Sequence, residues 1–163
     1  MMQLITSLPT IVHAYWLLAK WDWRISKQPY KKWKKHLDSS LSVSSPSNQF
    51  DAYPQQKYLQ QSILFAKVTR HHYRPMNCLR RCLALQELLL SKNMPSRLHI
   101  GVRFTTPNPS QSPAIEPSTG KTLQAHSWLT INGFIINDSK EVVSTYTEIT
   151  NKSQFFQTSI SSM

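Results

Sequence analysis

Glycine is nearly absent from this chain, with three among 163 residues. That excludes a glycine-rich loop able to cradle a nucleotide's phosphates. Cysteine is scarcer still, with two, at positions 78 and 82. Four residues apart on one predicted helix, their side-chain directions do not favour a disulfide, which fits a reducing, cytoplasmic compartment. Cys78, Cys82 and His71 or His72 are the one metal set that could be drawn, and it lacks the second ligand pair of a zinc knuckle, so no metal is expected. Acidic residues are also few: eight Asp and Glu stand against nineteen Lys and Arg, a formal net charge of +11. Such an excess points to an acidic partner, whether nucleic acid, an anionic membrane or an acidic polypeptide. Long apolar runs are missing as well. The stretch from Leu4 to Ala19 is broken by Thr6, Ser7, Pro9, Thr10 and His13, which excludes a membrane span, and Met1 to Thr10 carries no positive residue before its apolar ones, unlike a secretory signal.

What is present suffices for one domain with appendages. Residues 1–38 read as a basic helical segment, with a helix from Pro9 to about Gln28 presenting Ile11, Val12, Tyr15, Trp16 and Ala19 on its apolar side, then a lysine-rich piece from Tyr30 to Leu37. Tryptophans 16, 21, 23 and 33 among lysines suit either packing on the core or a peripheral contact with protein or membrane, and no nucleic acid is assigned. Residues 39–54 are Ser-rich and read as a linker. Residues 55–151 form the main domain: helices over Gln55–His71 and Asn77–Lys92, then strands. In the second helix Leu79, Cys82, Leu83, Leu85, Leu89 and Leu90 make the predicted buried arc, and Arg80, Arg81, Ala84, Glu87 and Ser91 the exposed one. Leu98, Ile100, Val102 and Phe104 then alternate with Arg97, His99, Gly101 and Arg103, a half-buried strand. Four prolines mark 105–120 as a loop. Thr122–Thr130 and Phe134–Asp138 read as a hairpin around Ile131-Asn132-Gly133, Tyr146–Thr150 as a further short strand, and 152–163 as a flexible tail. The fold class is α+β, N-terminal helices followed by a small antiparallel sheet.

Chemistry concentrates at Asn77-Cys78. Asn77 is a favoured N-cap and Pro75 discourages an earlier helical start, which places Cys78 in the first helical turn. There the unpaired N–H groups and the helix dipole favour the thiolate, the nucleophilic form. A base is needed to exchange its proton and an acid to orient that base. His126 lies mid-strand in Gln124-Ala125-His126-Ser127-Trp128, and Asp138 is the one carboxylate on the adjoining strand. Asn77 and Gln124 are candidate oxyanion donors beside the Cys78 backbone N–H; Arg80, Arg81 and Trp128 are candidate substrate or partner contacts. Cys82 reads as a buried packing residue, and no cofactor is called for.

Hairpin register decides whether the three groups meet. A two-residue turn at Asn132-Gly133 sets His126 opposite Ser139 and turns Asp138 to the other face. A three-residue loop sets His126 opposite Asp138, on a face shared with Trp128, Phe134 and Ile136 that would pack on the Cys78 helix. The second register is the one expected here.

Cys78-Leu79-Arg80-Arg81-Cys82-Leu83-Ala84-Leu85 with Leu88-Leu89, then Leu98-His99-Ile100-Gly101-Val102, Ala125-His126-Ser127-Trp128-Leu129 and Asn137-Asp138, resembles the transglutaminase-like cysteine peptidases of lasso-peptide biosynthesis across about residues 55–150. The resemblance implies a papain/transglutaminase-like core and Cys78, His126 and Asp138 as nucleophile, base and orienting acid. It also implies hydrolysis of the leader from a ribosomally made precursor peptide, in concert with a small leader-binding protein and a lasso cyclase. The alternatives are acyl transfer in place of hydrolysis, or a non-catalytic basic docking scaffold.

Overall fold

The computed structural model describes residues 2–41, 55–105 and 122–149. Helices α1 (Met2–Lys27), α2 (Tyr30–Leu41), α3 (Gln55–Arg70) and α4 (Cys78–Leu90) precede strands β1 (Arg97–Thr105), β2 (Thr122–Ile131) and β3 (Phe134–Ile135), the short helix α5 (Lys140–Val143) and β4 (Thr147–Glu148). The strands make one antiparallel sheet in the order β3-β2-β1-β4, so the α+β expectation holds. Most of the expected linker (42–54), the loop 106–121 and the tail 152–163 lie outside the described residues. At the linker's start, α2 runs on to Leu41, and Ser39 Oγ donates to the His36 carbonyl within it. No helix among the described residues is long and apolar enough to cross a membrane.

α4 is the axis of the core. Leu83, Ala84, Leu85, Leu88 and Leu89 are all at most 2 % exposed, each large side chain contributing about 1.5–3 kcal/mol by leaving water. Ala84, expected on the wet side, is fully buried, and Leu90, expected inside, is 63 % exposed. α1, α3 and the sheet all pack on α4, so it buries more of its circumference than a helix with one neighbour, whereas Leu90 is its last residue. α1 also differs from expectation. It begins at Met2 and runs through Pro9, and the side it buries is Ala14, Leu17, Leu18 and Trp21, flanked by Ile11 and Ile25. Val12, Tyr15 and Trp16, expected on its packing side, are 40–62 % exposed. Both stripes have helical spacing, and the positions of α4 and α3 choose between them. Glu87 of α4 accepts from Lys20 Nζ and, at 2.9 Å, from Trp21 Nε1. α3 buries Tyr58, Ser62, Phe65 and Val68, with Tyr58 Oη donating to the Pro95 carbonyl ahead of β1.

Nine residue pairs join β1 and β2, with His99 opposite Trp128 and Gly101 opposite His126. Because side chains alternate along a strand, Leu98, Ile100, Leu129 and Ile131 share the face that enters the core. His99, Gly101, His126 and Trp128 share the other.

Candidate active site

Asn77 caps α4 as expected: its backbone is extended (φ −70°, ψ 165°) and its Oδ1 accepts the Arg80 N–H at 3.0 Å. Cys78 is the first residue of the helix, half-buried, its Sγ 4.0 Å from the carbonyl oxygen of Ala125, the residue before His126. The Cys78 N–H belongs to the first turn, which has no intrahelical acceptors, and is a donor for an oxyanion formed at the sulfur's target.

His126 and Asp138 meet, by a route other than the one expected. The hairpin turn has two residues: Asn132 (φ 46°) and Gly133 (φ 80°) both take positive φ, and Ile131 pairs with Phe134 and Thr130 with Ile135, as a type I′ turn dictates. This is the register in which a continued β3 would carry Asp138 to the wrong face. The strand does not continue. The Ile136 N–H still reaches the Leu129 carbonyl at 3.1 Å, but the Leu129 N–H is taken at 2.7 Å by the side-chain Oδ1 of Asn137. The Asn137 side chain thus takes the place of a ladder partner, the main chain leaves the sheet, and Asp138 folds back so that its Oδ2 lies 2.5 Å from His126 Nε2. Its Oδ1 accepts the Ser139 N–H at 2.8 Å, and Ser139 caps α5 at once. With Nε2 on the acid, Nδ1 is the nitrogen left to face a thiol. The expected packing face is corrected too. Leu129 and Ile131 face α4, whereas His126 and Trp128 project from the opposite side and the strand edge vacated by β3 faces the two cysteines.

Cys82 occupies that edge one turn further along. It is 1 % exposed, its Sγ lies 3.2 Å from the Ser127 carbonyl, and Asn137 Nδ2 donates to it at 3.2 Å. Burial pushes its thiol up to about 12, against smaller opposing contributions from Ser127 and Asn137. It is therefore a neutral structural thiol.

Around His126 the rings form a stack. Tyr146 lies 5.0 Å from it at 29°, Trp128 6.3 Å at 22°, and His99 lies on Trp128 at 5.6 Å and 7°. Gly101 makes room for this: a Cβ there would come within 2.9 Å of Tyr146 Cβ and 3.0 Å of the Trp128 ring. Trp128 is only 4 % exposed, so it supports His126 and presents no open surface. Gln124 is held by its Oε1, which accepts from Arg103 Nε at 3.0 Å. Arg103 also lies over Tyr146, 4.6 Å from its centroid. Arg81 is exposed, whereas Arg80 is drawn to Asp22 at 3.1 Å. Sequence reasoning passed over Asn137's structural part, Tyr146, Gly101 and Asp22. A lone glycine inside a strand was a usable signal of close approach; the others carry none.

No group of three or more His, Cys, Asp or Glu side chains among the described residues could hold a metal. His72 Nδ1 lies instead 3.2 Å from the Arg74 carbonyl.

No curated protein and no solved structure matches the chain. The transglutaminase-like superfamily matches over residues 30–151, more than half of it, a span that holds Cys78, His126 and Asp138 together. A cysteine opening a core helix, beside a strand whose histidine is bound to a carboxylate from the next turn, is an arrangement fit for acyl chemistry, and the chain belongs to this superfamily, whose members are generally cysteine-type peptidases or transferases.

Proposed function

We propose that the protein is a leader peptidase that hydrolyses the bond between the leader and core of a ribosomally made lasso-peptide precursor. The His126–Asp138 contact of 2.5 Å, on the strand whose Ala125 carbonyl lies 4.0 Å from the Cys78 sulfur, is the observation that carries this reading. In the proposed reaction the Cys78 thiolate attacks the junction carbonyl. The carbon–nitrogen bond breaks as the His126 imidazolium gives its proton to the leaving amine, with Asp138 stabilising the charged ring. A water deprotonated by His126 then attacks the thioester, releasing the leader's carboxylate and restoring the thiolate. The developing oxyanion is met by the Cys78 N–H, with Gln124 and Asn77 as the side-chain candidates for a second donor.

A small leader-binding protein delivers the precursor, and a cyclase takes the freed core amine. The excess of basic residues favours an acidic leader or partner. A peripheral contact with an anionic membrane belongs to the same proposal, through the outer stripe of α1, where Leu8, Val12, Trp16 and Trp23 are 56–62 % exposed. The site is proposed to work in the cytoplasm.

Incubation of the chain with precursor and leader-binding protein, read by mass spectrometry, tests the reading. Free leader that has gained one water supports hydrolysis. Leader mass retained on an amine acceptor shows acyl transfer instead, and an unchanged precursor leaves only the docking-scaffold alternative.

A further inference from the structure

Asp22 is a buried carboxylate that the proposed reaction does not use. Its side chain is 2 % exposed, and it lies on α1 ahead of the span that matches the superfamily. An ionised carboxylate persists at such depth only when paired and hydrogen-bonded. The charged partners are Arg74 Nη1 at 3.2 Å and Arg80 Nη1 at 3.1 Å, with Tyr73 Oη donating at 3.1 Å and Ser26 Oγ more distantly at 3.5 Å. Arg74 ends the turn that leads into α4, and Arg80 is the third residue of α4, so the two residues bracket Asn77 and Cys78 in sequence while their guanidinium groups converge on Asp22. Arg80 is fixed at both ends: its backbone N–H lies on the Asn77 cap at 3.0 Å, and its Nη2 donates to Ser26 at 2.9 Å. Arg80 is largely buried with Asp22 while Arg74 is half exposed, and an ion pair on a buried carboxylate is a poor source of net stability, because desolvation offsets its attraction. What it supplies well is direction.

We propose that Asp22 is a positioning residue that holds the first turn of α4 from outside the sheet and so sets the Cys78 sulfur against the edge of the His126 strand, where it lies 4.0 Å from the Ala125 carbonyl. The inference rests on the thiol–imidazole reading of the site, and its test needs no peptide substrate. At pH 6 a thiol of ordinary pKa is almost wholly protonated, so rapid reaction with iodoacetamide reports a thiolate held by its neighbour. The alkylation rate of Cys78 in the full chain at pH 6, located by mass, is compared with that of a free-cysteine peptide, alongside each variant's melting temperature. Asp22→Asn slows alkylation at least fivefold. Leu17→Ala, a core change on the same helix, lowers the melting temperature and leaves the rate within twofold.

A folded Asp22→Asn protein that reacts within twofold of the parent overturns the proposal. So does a slowing by Leu17→Ala equal to that by Asp22→Asn, which would reduce Asp22 to a stability role. Should Asp22→Asn fail to fold, Arg80→Gln removes the α4 end of the same contact and is judged by the same criterion. A parent protein no faster than the free-cysteine peptide overturns the thiol–imidazole reading itself, and the positioning role with it.

Discussion

The first and second turns of α4 each carry a cysteine, and their surroundings differ in solvent, partners and consequence. Cys78 is half-buried at the helix start, beside the histidine strand; Cys82 is 1 % exposed against the Ser127 carbonyl and the Asn137 amide. The helix that holds both is the same, so intrinsic side-chain chemistry cannot explain the contrast. The difference lies in what meets each turn. The first turn meets the Asn77 cap, the strand edge at Ala125 and, through Arg80, Asp22 of α1, and its backbone N–H groups lie beyond the reach of intrahelical acceptors. The second meets a strand whose partner has ended, and its thiol takes the place of a missing ladder contact.

Exchanging the two cysteines' roles by mutation should fail in both directions. Cys78→Ala is expected to lower the proposed leader cleavage by roughly 10⁴–10⁶-fold, whereas Cys82→Ala retains it and loses stability, both followed by product mass and thermal unfolding. Cleavage lost only in Cys82→Ala would invert the assignment. Asp138→Asn comes next: the ring loses its oriented tautomer and kcat falls by about 10²–10⁴-fold with KM little changed, as steady-state kinetics would read. Asn137→Ala should act on stability first, since it strips the Leu129 N–H and the Cys82 sulfur of their partner at once. A cost of roughly 1–3 kcal/mol is expected, measured by denaturant titration, with cleavage reduced because Asp138 no longer has a fixed return path.

The smallest effect is a pH slope. Unfolded Cys82 ionises near its ordinary 9.0 while the folded thiol holds its proton to about 12. Between those values the unfolded chain binds fewer protons, so stability contributed by Cys82 is whole below pH 9 and is lost as pH rises from about 9 toward 12. Denaturant titrations at pH 8 and 10 should show a steeper alkaline loss in the parent than in Cys82→Ala. Equal slopes would mean that the second thiol is not held neutral by burial.

The hairpin shows most plainly how far residue order reaches. Asn132-Gly133 announces its turn, and His126 and Asp138 stand out as the pair to be joined. Yet the register that such a turn enforces separates them if the strand is taken to Asp138. What rescues the contact is the side chain of Asn137 substituting for a backbone partner. Periodicity is silent there, because it describes side chains that follow the backbone and not ones that replace it. α1 presents the same limit in another form. Its sequence offers two apolar stripes of helical spacing, and the choice of the Leu17 side over the Trp16 side is made by α4 and α3, remote in sequence.

By itself the sequence determined the helical start at Asn77-Cys78, the antiparallel strands and the α+β class, and it singled out Cys78, His126 and Asp138 as the three candidate reacting groups. These follow from local rules, capping, alternation and turn chemistry, that act within a few residues. Tertiary structure alone decided the end of β3 at Ile135, the return of Asp138, the neutral burial of Cys82 and the pairing of Asp22 with Arg80 of α4. Each depends on which surfaces meet after the chain has folded, and such meetings leave no period in the order of residues.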